Sequence, residues 1–233
     1  GYSGNGSLDD TWEWDGTKWI KLNPVTKPPA RYYHTIVYDS GRAKTILFGG
    51  KVGSSLVADT LEWDGTNWIQ LTPTNNPITR YCHAMTYRPS EGIVLFGGAD
   101  NSGTLLQDTW VFTGTNWTQL NPANKPDVRY LHRMTYDSNN NKIILFGGVF
   151  SASGNNTAYN DTWEWNGTNW SQLNPANKPG GRWSHDLTYD IANNKTILFG
   201  GYTTGNDLQD TWEWNGTSWT LLNPTSPPAR YEH

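Results

Sequence analysis

The chain has 233 residues, enough for one large domain or two small ones, with 14 Trp and 24 Gly but 2 Met and 1 Cys. Its net charge of −4, with Lys and Arg neither abundant nor clustered, excludes a nucleic-acid footprint, and no apolar run approaches the roughly 18 residues of a membrane-spanning helix. The lone Cys82 excludes an intrachain disulfide and a cysteine zinc cluster, the aromatic content argues against disorder, and no charged segment leads into an apolar one as in a signal peptide, which is also how a mature secreted chain reads.

One unit of about 49 residues recurs over the whole chain. Asp-Thr-(Trp/Leu) begins at Asp10, Asp59, Asp108, Asp161 and Asp210; Arg-(Tyr/Trp)-x-His begins at Arg31, Arg80, Arg129, Arg182 and Arg230; Leu-Phe-Gly-Gly ends at Gly50, Gly98, Gly148 and Gly201. In chain order this gives an outer half-unit over 1–24, complete units over about 31–73, 80–122, 129–175 and 182–224, and a stub over 230–233, with no linker and no second domain.

Each complete unit reads as four short strands. In the first, the pattern predicts strands over Tyr32 to Tyr38, Lys44 to Phe48, Thr60 to Trp63 and Thr66 to Leu71, with a turn at Asp39-Ser-Gly-Arg and a Pro-bearing loop from Thr72 to Thr79. Asp-Gly or Asn-Gly at 15–16, 64–65, 166–167 and 215–216, and the weaker Thr113-Gly114, predict two-residue type I′ hairpins. That register sets Trp12 opposite Trp19, Trp110 opposite Trp117, Trp163 opposite Trp170, Trp212 opposite Trp219 and Leu61 opposite Trp68. Thirteen of the 14 Trp then belong to repeated hairpins, so the aromatic surplus reads as core. Trp183 falls outside the pattern.

These residues in this order (Arg-x-x-His, Leu-Phe-Gly-Gly, Asp-Thr-Trp, then a later Trp) resemble the kelch repeat of β-propellers over nearly the whole chain, and Asp-Thr-Trp-Glu-Trp-Asp-Gly-Thr-x-Trp looks most like bacterial kelch proteins. The resemblance implies an all-β propeller in which the first strand of each blade lines a central channel and the fourth lies at the rim. The simplest arrangement is five blades, the fifth incomplete, with its outer pair at the N-terminus and the start of its innermost strand at Arg230 to His233. About 15 residues are then missing, as in a truncated chain; a six- or seven-bladed ring is the alternative.

Two sets of residues are candidates for function. Arg31, Arg80, Arg129, Arg182 and Arg230 match positions that in kelch adaptors face a ligand pocket and take acidic side chains, while a structural Arg bound to loop carbonyls or to the repeated Asp is the competing reading. Along the first strand one face keeps His, Ile/Met/Leu and Tyr, whereas the opposite face varies: Tyr33, Cys82, Leu131, Ser184 and Glu232, then Thr35, Ala84, Arg133 and Asp186. A ligand without rotational symmetry needs such variation. His34, His83, His132, His185 and His233 read as buried and hydrogen-bonded rather than as metal ligands. The loop Val149 to Asn160, with Phe150 and Tyr159, is expected to wall a pocket on the opposite mouth.

No unit departs from the others to introduce a catalytic constellation, and no cofactor is implied. The expected function is therefore a non-catalytic propeller binding a glycan or a protein at the channel mouth, extracellular or at a cell surface, with no nucleic acid and no membrane span. One alternative is a carbohydrate-active or copper-oxidase-like enzyme domain. The other is a structural subunit of a surface assembly, forming a homo-oligomer or larger array through the incomplete blade.

Overall fold

The computed structural model describes residues 1–4, 6–152, 154–222 and 227–231; Glu232 and His233, expected in the stub, lie outside them. No helix occurs among the described residues, so none is long and apolar enough to cross a membrane. The chain forms four four-stranded antiparallel sheets, each with its strands adjacent in chain order. Sheet 1 contains Thr35–Asp39, Lys44–Phe48, Thr60–Trp63 and Trp68–Leu71. Sheet 2 contains Ala84–Arg88, Gly92–Phe96, Thr109–Phe112 and Trp117–Leu120. Sheet 3 contains Arg133–Asp137, Lys142–Phe146, Thr162–Trp165 and Trp170–Leu173. Sheet 4 contains Asp186–Asp190, Lys195–Thr203, Asn206–Trp214 and Trp219–Leu222. Before them stands a lone hairpin, Thr11–Trp14 with Trp19–Leu22.

The core lies between sheets. The second strands are unbroken apolar runs because both of their faces are covered. Ile93 and Leu95 pack with Ile46 and Phe48 of sheet 1, while the alternate residues Val94 and Phe96 pack with Ile143, Leu145 and Trp165 of sheet 3. Ile144 and Phe146 in turn meet Leu198, Trp214 and Trp219 of sheet 4. The indoles of the fourth strands also reach across: Nε1 of Trp117, Trp170 and Trp219 donates to Oγ1 of Thr60, Thr109 and Thr162 in the preceding sheet, at 2.9–3.0 Å. Trp68 does the same to Thr11 of the lone hairpin at 3.0 Å. Thr11, Thr60, Thr109 and Thr162, each following the repeated Asp, are thus acceptors for the next unit.

In the first complete unit the second and third strands follow the expected bounds, in sheet 4 they run longer, and two other expectations are corrected. The first strand starts at Thr35, not Tyr32, because Tyr33 adopts φ 59°; Cys82, Leu131 and Ser184 do likewise at 53–57°. A left-handed residue ends strand alternation. The hairpin turns are not two-residue type I′ turns. Gly16 and Gly65 have positive φ, but the Asp before each does not, and type I′ needs both. Asp15 Oδ1 instead accepts the backbone N–H of Thr17 and of Lys18, each at 2.8 Å, closing a four-residue loop. Pairing slips by two residues: Trp14 faces Trp19, Trp63 faces Trp68, Phe112 faces Trp117, Trp165 faces Trp170 and Trp214 faces Trp219. A two-residue slip keeps every side chain on its face, so the paired indoles still meet, in tilted contact with centroids 5.3–5.6 Å apart. For the same reason the fourth strand begins at Trp68 and not at Thr66.

Candidate functional site

The ends of the first strands gather the residues singled out by sequence, and the repeated arginines sit just behind them. Arg129 is fully buried. Its Nη1 and Nη2 grip both Asp161 carboxylate oxygens at 2.7 Å, Nη1 also donates to Gly147 O at 3.0 Å, and Nε donates to Asp127 O at 3.0 Å. Arg31 with Asp59, Arg80 with Asp108 and Arg182 with Asp210 repeat the arrangement, each also binding the carbonyl of the first glycine of its Gly-Gly pair. One buried guanidinium thereby ties together the start and the middle of a unit, 28 or 32 residues apart. Burial would raise the carboxyls of Asp108, Asp161 and Asp210, but the guanidinium bonds and charge outweigh it and hold all three below the usual carboxylate range. The geometry of these four arginines is that of the structural reading. Arg230 is exposed, with Nε on Pro228 O at 3.1 Å.

Just before the first strands His83, His132 and His185 are buried, as expected, while His34 is partly exposed and His233 lies outside the described residues; hydrogen bonding is not what holds His83, since neither of its ring nitrogens has a partner. The rings of His83, His132 and His185 pack edge-on to Phe48, Phe96 and Phe146, with centroids 5.5–5.6 Å apart. Burial, reinforced by the nearby arginine charge, pushes His83 and His132 well below their usual range, and burial lowers His34 to about 4. The Gly-Gly pairs make this packing possible. A Cβ on Gly148, at φ +95°, would lie 2.8 Å from His132 Cβ, and one on Gly50 would lie 2.7 Å from Tyr32 O. Among the described residues no three His, Cys, Asp or Glu side chains gather as a metal site.

The left-handed residues that interrupt the first strands link the sheets. Cys82 N donates to Tyr33 O, Leu131 N to Cys82 O and Ser184 N to Leu131 O, at 2.9–3.1 Å. This backbone seam runs through positions where sequence varies, so it depends on conformation and leaves the side chain free to differ. Tyr33, Leu131 and Arg133, with Cys82, Thr35 and Ala84, line one cavity of about 420 Å³. Arg133 is half-buried, with Nη1 on His132 O at 3.3 Å. Ser184 is buried on the seam, and Asp186 is exposed at the start of its strand; neither lines that cavity.

The aromatic residue of each Arg-(Tyr/Trp)-x-His string, just before the left-handed position, was not among the candidate functional residues. Tyr32, Tyr81, Tyr130 and Trp183 each form an isolated bridge with the residue after a Gly-Gly pair, and Tyr32 also lines the cavity. Their rings run in two arcs, Tyr2–Tyr32–Tyr33–Tyr81–Tyr130 with successive centroids 4.7–6.3 Å apart, and Trp183–Tyr202–Tyr231 at 5.1–5.3 Å. Lys51 Nζ lies 6.0 Å from the Tyr32 ring centroid and 5.9 Å from that of Tyr81. Partial burial raises the phenols of Tyr81 and Tyr130, which keeps them neutral donors. The available signal was the recurrence of an aromatic residue directly after each repeated Arg. The loop after Gly148 folds as a hairpin, Val149–Ala152 with Asn155–Ala158. Val149 bridges Tyr130, which puts this loop at the same mouth as the aromatic arcs and not at the opposite one. Tyr159 lies under Arg129, with the guanidinium carbon 4.1 Å from its ring centroid.

The repeated glutamates serve the sheets: Glu62 pairs with Arg42 at 2.8 Å, Glu164 with Lys142 at 3.2 Å and Glu213 with Lys195 at 3.5 Å. In comparisons with known proteins, no family model matches the chain and no curated protein matches it.

Proposed function

We propose that the chain is a kelch-type β-propeller module, most simply five-bladed, that binds a glycan at the aromatic mouth of its channel and acts outside the cell. The observation that carries this reading is the Tyr2–Tyr32–Tyr33–Tyr81–Tyr130 arc, whose first three rings line the cavity that holds Arg133. Tyrosine rings offer flat apolar faces for the C–H faces of sugar rings and phenol groups for their hydroxyls. Tyr33, Tyr2 and Tyr231 are well exposed, Tyr32, Tyr81, Tyr130 and Tyr202 half-covered and Trp183 buried, so the tyrosine faces form an open platform suited to an extended chain. Tyr33, Leu131 and Arg133 differ from their counterparts in other units and line that cavity, and such differences set orientation on an otherwise repetitive surface. The four buried arginines hold that surface in place.

A glycan array followed by titration calorimetry tests the reading. Tyr33→Ala and Tyr81→Ala are each expected to weaken the selected oligosaccharide about tenfold, equivalent to ~1.4 kcal/mol. Ile69→Ala, exposed on an outermost strand, is expected to leave it unchanged. Absence of any glycan ligand, or equal loss for Ile69→Ala, would overturn the proposal.

A further inference from the structure

We infer, building on that glycan reading, that the ligand at the aromatic mouth is an acidic oligosaccharide and that Arg133 takes the carboxylate of one of its sugars. Six of the chain's eight arginines hold carboxylates of the chain itself. Arg31, Arg80, Arg129 and Arg182 each grip an aspartate, Arg42 pairs with Asp39 and Glu62, and Arg88 pairs with Glu91. Arg230 is exposed. Arg133 stands apart: it is half-buried and meets no carboxylate among the described residues. Its one bond, from Nη1 to His132 O, is long at 3.3 Å. A guanidinium is a fork of several N–H donors, so most of them are left for a ligand. Drawing a charge part of the way out of water without a partner is unfavourable, and a bound carboxylate offsets that cost.

The surroundings of Arg133 select the ligand. It is the only ionised side chain lining the cavity of about 420 Å³, because burial keeps His34 and His83, which also line it, neutral near pH 7. No acid competes for it there. Asp186 opens the next first strand as Arg133 opens its own, but it is exposed, lies outside the cavity, and accepts the N–H of its neighbour Leu187 at 2.9 Å. Asp100, whose charge reaches Tyr81, binds Ser102 and Thr104 of its own loop. The other cation of the mouth, Lys51, lies against the rings of Tyr32 and Tyr81 and forms no ion pair among the described residues. A chain of net charge −4 thus presents two cations without carboxylates at this one mouth. The positions matching Arg133 in the other complete units are Thr35, Ala84 and Asp186, so a single point of the ring is positive and fixes where the acid group sits. A planar carboxylate matches the guanidinium fork, and the sugar ring that bears it lies on the adjoining faces of Tyr32 and Tyr33. A peptide rich in Asp or Glu satisfies Arg133 but brings no ring to those faces.

The probes are oligosaccharides of galacturonic, glucuronic, mannuronic and guluronic acid, each compared with its carboxyl-reduced, neutral form by titration calorimetry against the 233-residue chain at neutral pH and low salt. At least one acidic oligosaccharide is expected to bind about tenfold or more tightly than its reduced form. Arg133→Met is expected to erase that difference while leaving the affinity for the reduced form and the urea midpoint unchanged, since the side chain makes only one long bond within the chain. Arg133→Lys keeps the charge without the fork and is expected to retain part of the preference. Tyr33→Ala is expected to weaken both forms alike, and added salt only the acidic one. If each acidic form binds no better than its reduced form, or the preference survives Arg133→Met, this inference falls and the glycan reading stands. If no oligosaccharide of either kind binds, or a poly-glutamate peptide alone does, both fall together.

Discussion

Replacing Arg129 by methionine separates a structural guanidinium from a ligand-binding one. The side chain is fully buried and makes bonds of 2.7 Å to each oxygen of Asp161 and of 3.0 Å to Gly147 O and Asp127 O. Methionine fills most of the volume and donates nothing. It leaves a largely buried carboxylate held by Trp163 Nε1 at 2.7 Å without its guanidinium, and it strips a donor from two backbone carbonyls. Breaking a buried ion pair from one side costs about 3–5 kcal/mol. A chain of this size has a urea slope of about 2–3 kcal/mol per molar, so the urea midpoint is expected to fall by about 1–2 M, read by tryptophan fluorescence. Adding Asp161→Asn removes the stranded charge and is expected to restore about 1–2 kcal/mol, so the double variant is more stable than Arg129→Met alone. An unchanged midpoint accompanied by loss of glycan binding would refute this reasoning and place Arg129 at the ligand.

Acid sensitivity is expected in two stages. Burial lowers His34, His83 and His132 from 6.5 in the folded chain, so below that pH the unfolded chain binds more protons and stability falls by about 1.4 kcal/mol per pH unit for each histidine. The stabilisation is complete above 6.5 and for His34 is lost down to about 4; the carboxylates of Asp108, Asp161 and Asp210, lowered from 3.8, lose theirs only below that value. Urea midpoints measured from pH 7 to pH 5 should therefore decline steadily, and a flat profile would contradict the buried, neutral histidines. Ser184→Gly should stabilise the chain by about 1 kcal/mol, because it relieves a left-handed backbone at φ 53° and removes a buried hydroxyl without a partner. Differential scanning calorimetry showing a lower melting temperature would count against that strain.

The sequence by itself determined the all-β repeat, the bounds of the second and third strands in the first complete unit, and the assignment of 13 of the 14 tryptophans to repeated hairpins. Those features rest on local signals: apolar runs such as Thr45 to Phe48, turn residues such as Asp15-Gly16, and a repeat that reports itself. Register was not legible at that level. The Asp15 carboxylate caps the amides of Thr17 and Lys18, and this competition between side chain and backbone moved the Trp pairs by two residues. Only the tertiary structure could divide the candidate site. Arg31, Arg80, Arg129 and Arg182 meet their aspartates 28 or 32 residues away and become internal clamps. Tyr33, Leu131 and Arg133 meet at one cavity because each preceding unit delivers a left-handed residue to a seam between sheets. The aromatic arcs depend on the same fact. An aromatic residue after each Arg is a local pattern, but rings 49 residues apart become one surface only when the sheets are set side by side.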